Sequence, residues 1–303
     1  MVGEHDRQES GEQMQLATRA VLMTRQRFLQ LPEQLDTPMT GSMLHVEREH
    51  TKRGSTDTLV MGHRARAYEN LERIFEMMID EEGERLLAYP FSLYSLTRAA
   101  VEAAAVAMWL VMSSKKADRV HRALQITFRD ANEALRLAEL VMGKGKAHSA
   151  REATKKSIER LNELKNTIGP LRQVELGNPP SYTAILRAIS PKERGALGYS
   201  IASPLIVWKA ASAFLHGSDQ LVRAFSDIRQ LSDFDDGVAS FEITPNIQMI
   251  SVSLLAVVEL IEELDERYVF LSTHNHAKRP VGAGEAMQPR SMTTFSSATS
   301  PAY

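Results

Sequence analysis

The spacing of apolar residues along this chain is typical of helices. Apolar side chains recur at intervals of three and four residues through most of the sequence, as on the buried side of an amphipathic helix. Proline and glycine interrupt the pattern and mark the ends of the helical stretches. The pattern predicts helices over residues 13–31, 57–80, 91–113, 117–142, 149–168 and 181–189, one that begins at Pro204, and one from Pro245 to Phe270.

A different pattern separates the last two predicted helices. Two partly alternating segments, in "IRQLSDFDDGVASFEIT", flank the dipeptide Asp236-Gly237, which is a typical turn of a β-hairpin. Before it, Ser203-Pro204 has the form of an N-cap followed by proline at the first helical position, and Thr244-Pro245 repeats that form after it. We therefore expect an all-α fold of seven or eight helices with one small β-hairpin insert.

Both ends of the chain lack this periodicity. The polar stretch between Pro32 and Thr56 predicts a long loop or arm, in which Leu44 and Val46 are the candidates for a short docked element. From residue 274 the sequence is rich in Pro, Gly, Ser and Thr, which is typical of disorder. The predicted organisation is an N-terminal helix and mobile arm (1–56), a helical core domain (57–273) and a disordered tail (274–303).

Composition narrows the class of protein. The 303 residues are 43% hydrophobic, which is enough for a sizeable core, and the net charge of −2 gives no general attraction to nucleic acid or anionic membranes. The absence of cysteine excludes disulfides and thiolate metal sites and fits a reducing cytoplasm. The most apolar run, residues 99–112, is too short to span a bilayer, and the charged N-terminus is unlike a signal peptide. We expect a cytoplasmic protein without membrane contacts.

The predicted third helix is almost free of charge. Between Pro90 and Ser114 the charged residues are Arg98 and Glu102, in a chain that is 24% charged. Four residues apart on a helix, they share a face and are placed to pair. We expect them in contact and largely buried, near the helix that contains His216. Three interpretations stay open: a structural pair that fixes helix packing, a polar pocket or active site, and a pair that faces water.

A second apolar helix has a similar polar stripe. In "KAASAFLHGSDQ" (209–220), Lys209, Ser212 and His216 fall on one side of an otherwise apolar helix. Two such apolar helices belong in the centre of one core, so the two stripes would form one constellation: Arg98, Glu102, Lys209, Ser212 and His216. A histidine beside a carboxylate suits acid–base chemistry. The alternative is a structural histidine at a helix end that Gly217 terminates.

Other candidate sites are weaker. The segment "HVEREH" (45–50) favours a solvated charge run over a metal site, and no phosphate-binding, dinucleotide-binding, serine-nucleophile or zinc-protease motif occurs. We therefore expect no metal and no cofactor. A row of basic residues favours a solvated helix face over an RNA contact: Lys144, Lys146, Arg151, Lys155, Lys156 and Lys165.

Two longer stretches carry a family resemblance. "SLYSLTRAAVEAAAVAMWLV" and, about a hundred residues later, "WKAASAFLHGSDQLVRAF" are followed by the hairpin-like insert and a last long helix. Together they resemble a group of uncharacterised all-helical proteins of actinobacteria and mobile elements, which look similar to HEPN-like helical bundles. The resemblance covers roughly residues 57–270.

The resemblance also implies a set of possible functions. Active HEPN proteins are metal-independent RNases of toxin–antitoxin and phage-defence systems, with a site built between two subunits from an arginine followed, after four to six residues, by a histidine. Here Lys209 occupies the arginine's place before His216, and lysine offers a point charge in place of a planar fork. Arg267 and His274 have the right spacing, but so short a match arises readily by chance.

We therefore expect a HEPN-like interaction protein without catalysis, acting as a homodimer or with a partner protein in phage defence or toxin–antitoxin conflict. The alternative is a divergent RNase in which His216 and Lys209 are catalytic. RNA is a partner only under that alternative.

Overall fold

The computed structural model describes residues 9–80, 86–190 and 200–274. In these ranges the chain forms ten α-helices, two single-turn 3-10 helices at Lys52–Gly54 and Gly169–Leu171, and one two-stranded sheet. The prediction of an all-α fold with a small hairpin is confirmed. The elements, in chain order, are α1 (Gly11–Phe28), α2 (Met43–Thr51), α3 (Thr56–Met78), α4 (Pro90–Val111), α5 (Lys116–Met142), α6 (His148–Asn166), α7 (Tyr182–Ile189), α8 (Pro204–Leu215), α9 (Asp219–Ala224), β1 (Ser226–Gln230), β2 (Phe241–Pro245) and α10 (Ile247–Thr273).

Helix α4 lies at the centre of the molecule. It packs against α3, α7, α8 and α10, and every residue from Ala103 to Val111 is buried. Six of these nine residues are alanine or valine, whose small side chains let neighbouring helices approach closely. The buried apolar residues of α1, α2, α3, α4, α5, α7, α8 and α10 form one continuous cluster around it. In the described ranges, no helix is both long enough and apolar enough to cross a bilayer.

The N-terminal helix shares this core. α1 packs along α10, and Val21 and Phe28 belong to the main hydrophobic cluster. Arg27 adds a surface contact by donating to Glu262 through both Nε (3.1 Å) and Nη2 (2.5 Å). α1 is therefore part of the same packing unit as the helices that follow residue 56.

The stretch between α1 and α3 differs from the expected loop. Residues 43–51 form α2, capped by Ser42, whose hydroxyl accepts from the backbone N–H of His45 at 3.3 Å. Leu44, one of the two candidates for a docked element, is fully buried. The prediction of a long loop is therefore wrong for this part. α2 has no long apolar stripe that periodicity could reveal. Charged side chains hold the helix in place instead.

Two ion pairs fix α2. Glu47 is fully buried and accepts from Arg119 of α5, whose Nε lies 3.0 Å from Glu47 Oε1. The Nη1 of Arg119 donates to the carbonyl of Ser113 (2.7 Å). At the other side of the helix, Arg48 Nη2 donates to the buried Asp57 of α3 at 2.6 Å. α2 is thus anchored to α5 and α3.

A second buried arginine holds the connection that follows α1. Arg64 of α3 donates to both carboxylate oxygens of Asp265 on α10 (3.2 and 2.9 Å). Its Nη2 donates in addition to the carbonyl of Pro32 (2.5 Å), and its Nη1 donates to the carbonyl of Glu33 (2.8 Å). Further along, Tyr268 donates its hydroxyl proton to the carbonyl of Asp36 (2.9 Å). Polar contacts therefore attach this irregular segment to α10.

The predicted hairpin is present, with one change at its end. β1 and β2 pair antiparallel, from Ser226 opposite Pro245 to Gln230 opposite Phe241. Asp236 and Gly237 both have positive φ (47° and 79°), as a turn that matches the twist of the strands requires. Because Thr244 and Pro245 complete β2, they do not cap the last helix. α10 begins at Ile247, and its N-cap is Asn246, which accepts from Met249 N at 3.0 Å.

The predicted tail lies almost wholly outside the described residues, whereas the predicted cap at Ser203-Pro204 lies inside them. The disordered tail was expected from residue 274, and the described part of the chain ends at His274. The helix cap Ser203-Pro204 lies inside it and is confirmed: the Ser203 hydroxyl accepts from Ile206 N, and Pro204 is the first helical residue.

Removing Glu47 tests the buried pair of α2. We expect Glu47→Ala to lower the free energy of unfolding by about 3–5 kcal/mol, because it leaves the buried Arg119 guanidinium without its carboxylate. Urea denaturation measures the change. Glu49→Ala is the matched control, since Glu49 is exposed on the same helix and its loss should cost less than about 0.5 kcal/mol. Equal effects of the two substitutions would contradict the anchoring role.

The buried His63 of α3 makes stability depend on pH. Burial lowers the pKa of His63 from 6.5 to about 4, and Arg66 and Arg129 add to the effect. The unfolded chain takes up this proton below pH 6.5 and the folded chain does so only near pH 4. The contribution of His63 is therefore complete above pH 6.5 and is lost as the pH falls towards 4.

We expect wild type to lose about 2 kcal/mol more unfolding free energy than His63→Gln between neutral pH and about pH 5. Urea titrations at a series of pH values measure this difference. His148→Gln, at an exposed position on α6, is the control and should follow wild type. Parallel pH profiles for wild type and His63→Gln would show that His63 carries no such linkage.

Candidate polar site between α4 and α8

The polar stripes of α4 and α8 meet at the edge of the core. Arg98 Nε donates to Glu102 Oε1 at 2.9 Å, and Arg98 Nη1 lies 3.3 Å from Nε2 of His216. Trp208 completes the group, because its indole N–H donates to the same Glu102 oxygen at 2.6 Å. The structure thus joins three of the five predicted site residues and adds a tryptophan.

The guanidinium of Arg98 sets the chemical state of its neighbours. It carries a permanent positive charge and only donates hydrogen bonds, so Nε2 of His216 is the acceptor in their contact. The histidine ring then carries its proton on Nδ1. The guanidinium also lies over the face of Trp208, 5.5 Å from the ring centroid, in a cation–π arrangement. Arg98 is therefore bound on three sides by Glu102, Trp208 and His216.

The ion pair is largely buried but keeps some contact with water. The side chains of Arg98 and Glu102 are 24% and 21% exposed, and His216 is exposed. By contrast, the Arg119 and Glu47 side chains are 1% and 0% exposed. The pair is largely buried, as predicted, and it keeps some contact with water that the Arg119–Glu47 pair lacks. Their contact with each other and their proximity to His216 are as predicted.

Ser212 and Lys209 do not join the hydrogen-bonded group. The Ser212 hydroxyl oxygen is buried and has no hydrogen-bond partner among the described residues. Lys209 is exposed on the outer side of α8. The single constellation of five residues is therefore only partly formed.

His216 occupies the end of α8. Gly217 adopts a φ of +63°, its N–H donates to the carbonyl of Phe214 (3.4 Å), and the N–H of Ser218 donates to that of Ala213 (3.0 Å). These two bonds are the Schellman pattern of a helix C-terminus, in which glycine avoids the strain that a side chain would meet at positive φ. His216 is the C-cap residue, so the ending of the helix sets its position.

Aromatic side chains lie beside the polar group. Tyr94 stacks on Phe214 with ring centroids 3.8 Å apart, and Phe91 meets Phe214 edge-on at 6.5 Å. Burial raises the pKa of Tyr94 well above its usual range, and the phenol therefore stays neutral. Phe91 is 63% exposed and Leu215 is 43% exposed. We define the α4–α8 surface as Phe91, Arg98, Glu102, Trp208, Leu215 and His216.

Trp208 is the site residue that the sequence prediction missed. Its spacing was a usable signal, because Trp208, Ser212 and His216 follow each other at four-residue intervals and share one face of α8. Because Trp208 is an aromatic residue in an apolar helix, its pattern predicted an ordinary core residue. Its indole N–H needs an acceptor, and the half-buried Glu102 supplies it.

The weaker candidates have other partners. His45 Nδ1 accepts from Gly41 N (3.3 Å) and His50 Nδ1 contacts Thr167 Oγ1 (2.8 Å), while Glu47 between them binds Arg119. Within the described residues, no group of three His, Asp or Glu side chains is arranged to hold a metal ion.

Arg267 and His274, which have the spacing of the HEPN arginine and histidine, make separate contacts in the structure. Arg267 donates to the carbonyls of Val111 and Ser113 at the end of α4 (3.1 and 3.3 Å). The ring of His274 packs on Phe270 instead, with centroids 4.2 Å apart. Arg267 serves as a cap for α4.

No protein-family model, curated protein or solved structure matches this chain. The HEPN-like resemblance therefore stays a prediction, and the functional argument depends on the residues themselves.

Removing Glu102 tests how far the Arg98–Glu102 pair is accessible to water. We expect Glu102→Ala to cost about 1–2 kcal/mol of unfolding free energy, because the remaining Arg98 charge is still partly in contact with water. Glu102→Gln should recover part of this loss, since it keeps an oxygen that accepts from Trp208. Urea denaturation beside Glu47→Ala gives the comparison. A loss as large as that of Glu47→Ala would mean that the site is closed to solvent.

Proposed function

We propose that this chain is a HEPN-like helical interaction protein that does not cleave RNA and that binds a protein partner on the α4–α8 surface. The observation that carries the proposal is the contact between Arg98 Nη1 and His216 Nε2. The proposed setting, phage defence or a toxin–antitoxin system, follows from the resemblance alone.

The contact argues against His216 as a general base. A neutral imidazole has one lone pair, and a base must have it free to accept the substrate's proton. Here that lone pair accepts from a guanidinium, which does not give up its own proton. Lys209 lies outside the hydrogen-bonded group, and its ammonium is a point charge that cannot make the bidentate phosphate contact of an arginine.

The composition of the surface argues for binding. Arginine and aromatic side chains are enriched at the energetic centres of protein interfaces, and here Arg98, Trp208 and Phe91 lie on one surface. Leu215 adds an exposed apolar side chain, and the Arg98 guanidinium supplies a positive charge. This chemistry suits a protein segment that presents a carboxylate beside apolar side chains.

Incubation of the purified protein with total RNA tests the absence of catalysis. We expect intact RNA with wild type and with His216→Ala alike, because the histidine's acceptor nitrogen is occupied. Cleavage by wild type that disappears in an equally stable His216→Ala variant would overturn the proposal in favour of the RNase alternative. Lys209→Ala is the companion variant, since the alternative requires it to lose activity as well.

Site-directed photo-crosslinking in cells tests the surface. With p-benzoylphenylalanine in place of Phe91, we expect one discrete protein adduct, which the same substitution at Phe234 in the strand connection should not give. Leu215→Asp, at an exposed residue of this surface, should reduce the adduct severalfold, and Leu231→Asp in the strand connection should not. Equal adducts from both positions, or no effect of Leu215→Asp, would remove the α4–α8 surface as the binding site.

A further inference from the structure

Helix α5 is longer than the core against which it packs. Its buried residues are Arg119, Val120, Ala123, Leu124 and Ile126, and none of the residues from Phe128 to Met142 is buried. This outer part is held by α6, with Arg151 Nε donating to Glu139 Oε1 at 2.7 Å. We define residues 130–151 as the distal hairpin.

The distal hairpin exposes a stripe of large apolar side chains. Leu137, Leu140 and Val141 are 62%, 83% and 75% exposed and follow the i, i+3, i+4 spacing of one helix face. Met142, at the end of the helix, is 45% exposed. Single exposed apolar residues are ordinary, but a contiguous patch marks an interaction site. A stripe on one face suits a partner helix.

Charges of opposite sign lie at the two ends of this stripe. Asp130 and Glu133 are exposed before it, seven and four residues ahead of Leu137. Lys144 and Lys146 are exposed after it, in the turn towards α6. Two arginines lie among the acidic residues: Arg129 contacts Asp130 at 3.4 Å and Arg136 contacts Glu133 at 2.6 Å. Because Arg129 is mostly covered, the exposed side chains before the stripe carry an acidic excess, and those after it are basic.

We infer that the distal hairpin binds a second copy of this chain, with the two α5 helices antiparallel about a two-fold axis between Leu137 and Leu140. In that register Leu137 faces Leu140 of the second copy, and Glu133 faces its Lys144. The same rotation brings Asp130 close to Lys146. A two-fold contact requires one patch to be complementary to itself, and this order of charges meets that requirement.

Other occupants fit the charges less well. An anionic membrane or a nucleic acid would attract Lys144 and Lys146 and be repelled by Asp130 and Glu133. A partner of uniform charge would likewise satisfy only one end. Glu133 already pairs with Arg136 at 2.6 Å, but both side chains are more than half exposed, so exchanging that partner costs little. The inference shares no residue with the α4–α8 surface and does not rest on the proposed function.

Sedimentation equilibrium of the full chain tests this inference. We expect wild type to have twice the mass of one chain and Leu137→Ser/Leu140→Ser to have the mass of one. Both substituted positions are exposed, so helicity by circular dichroism should be unchanged. Val238→Ser, which removes an exposed apolar side chain in the strand connection (72% exposed), is the control and should remain dimeric.

Charge reversal tests the register. Glu133→Lys and Lys144→Glu should each weaken the dimer at least tenfold, and the two together should restore most of the affinity, because the pairing is reciprocal. A monomeric wild type, or a dimer that resists both leucine substitutions, would overturn the inference. A dimer that only Phe91→Ser dissociates would assign self-association to the α4–α8 surface instead.

Discussion

The burial of α4 is the constraint on which the rest of the structure depends. A helix that is buried at every residue from Ala103 to Val111 must be covered on all sides, and α3, α7, α8 and α10 provide that cover. A charge on such a helix is tolerated only where it has a partner and some access to water. Arg98 and Glu102 meet both conditions, because they pair with each other and their side chains are 24% and 21% exposed. The polar site thus lies just before the part of α4 that is buried at every residue.

Buried arginines organise the parts of the chain that the apolar core does not reach. Arg64 joins α3 to α10 and to the segment after α1, and Arg119 joins α5 to α2. Each guanidinium has directional donors that are satisfied by one carboxylate and by backbone carbonyls, which apolar packing would leave unpaired. These contacts give the irregular connections a defined course. They also make that part of the fold sensitive to the loss of a single carboxylate.

The sequence predicted those features that depend on local pattern. The helices α3 to α8, the Ser203-Pro204 cap and the hairpin at Asp236-Gly237 follow from periodicity and turn chemistry. α2 did not, because its stability depends on Arg119, which lies 72 residues away in the chain. The position of α10's first turn was missed because strand pairing of Thr244 with Asp227 overrides a local capping pattern. Within the site, the α4 and α8 stripes were found, whereas the exposure of Arg98 and the role of Trp208 depend on how α8 is rotated against α4.

The partial exposure of the α4–α8 site indicates what the site is for. An ion pair that has to lose much of its hydration contributes modestly to stability, and apolar residues of similar volume would often contribute more. Arg98 is nevertheless held by three neighbours, Glu102, Trp208 and His216, at an opening beside exposed Phe91 and Leu215. Ordering a guanidinium in advance removes part of the entropy that a binding partner would otherwise have to overcome. An arrangement that adds little to folding but fixes a charged group at the surface is better explained by recognition of another molecule than by packing.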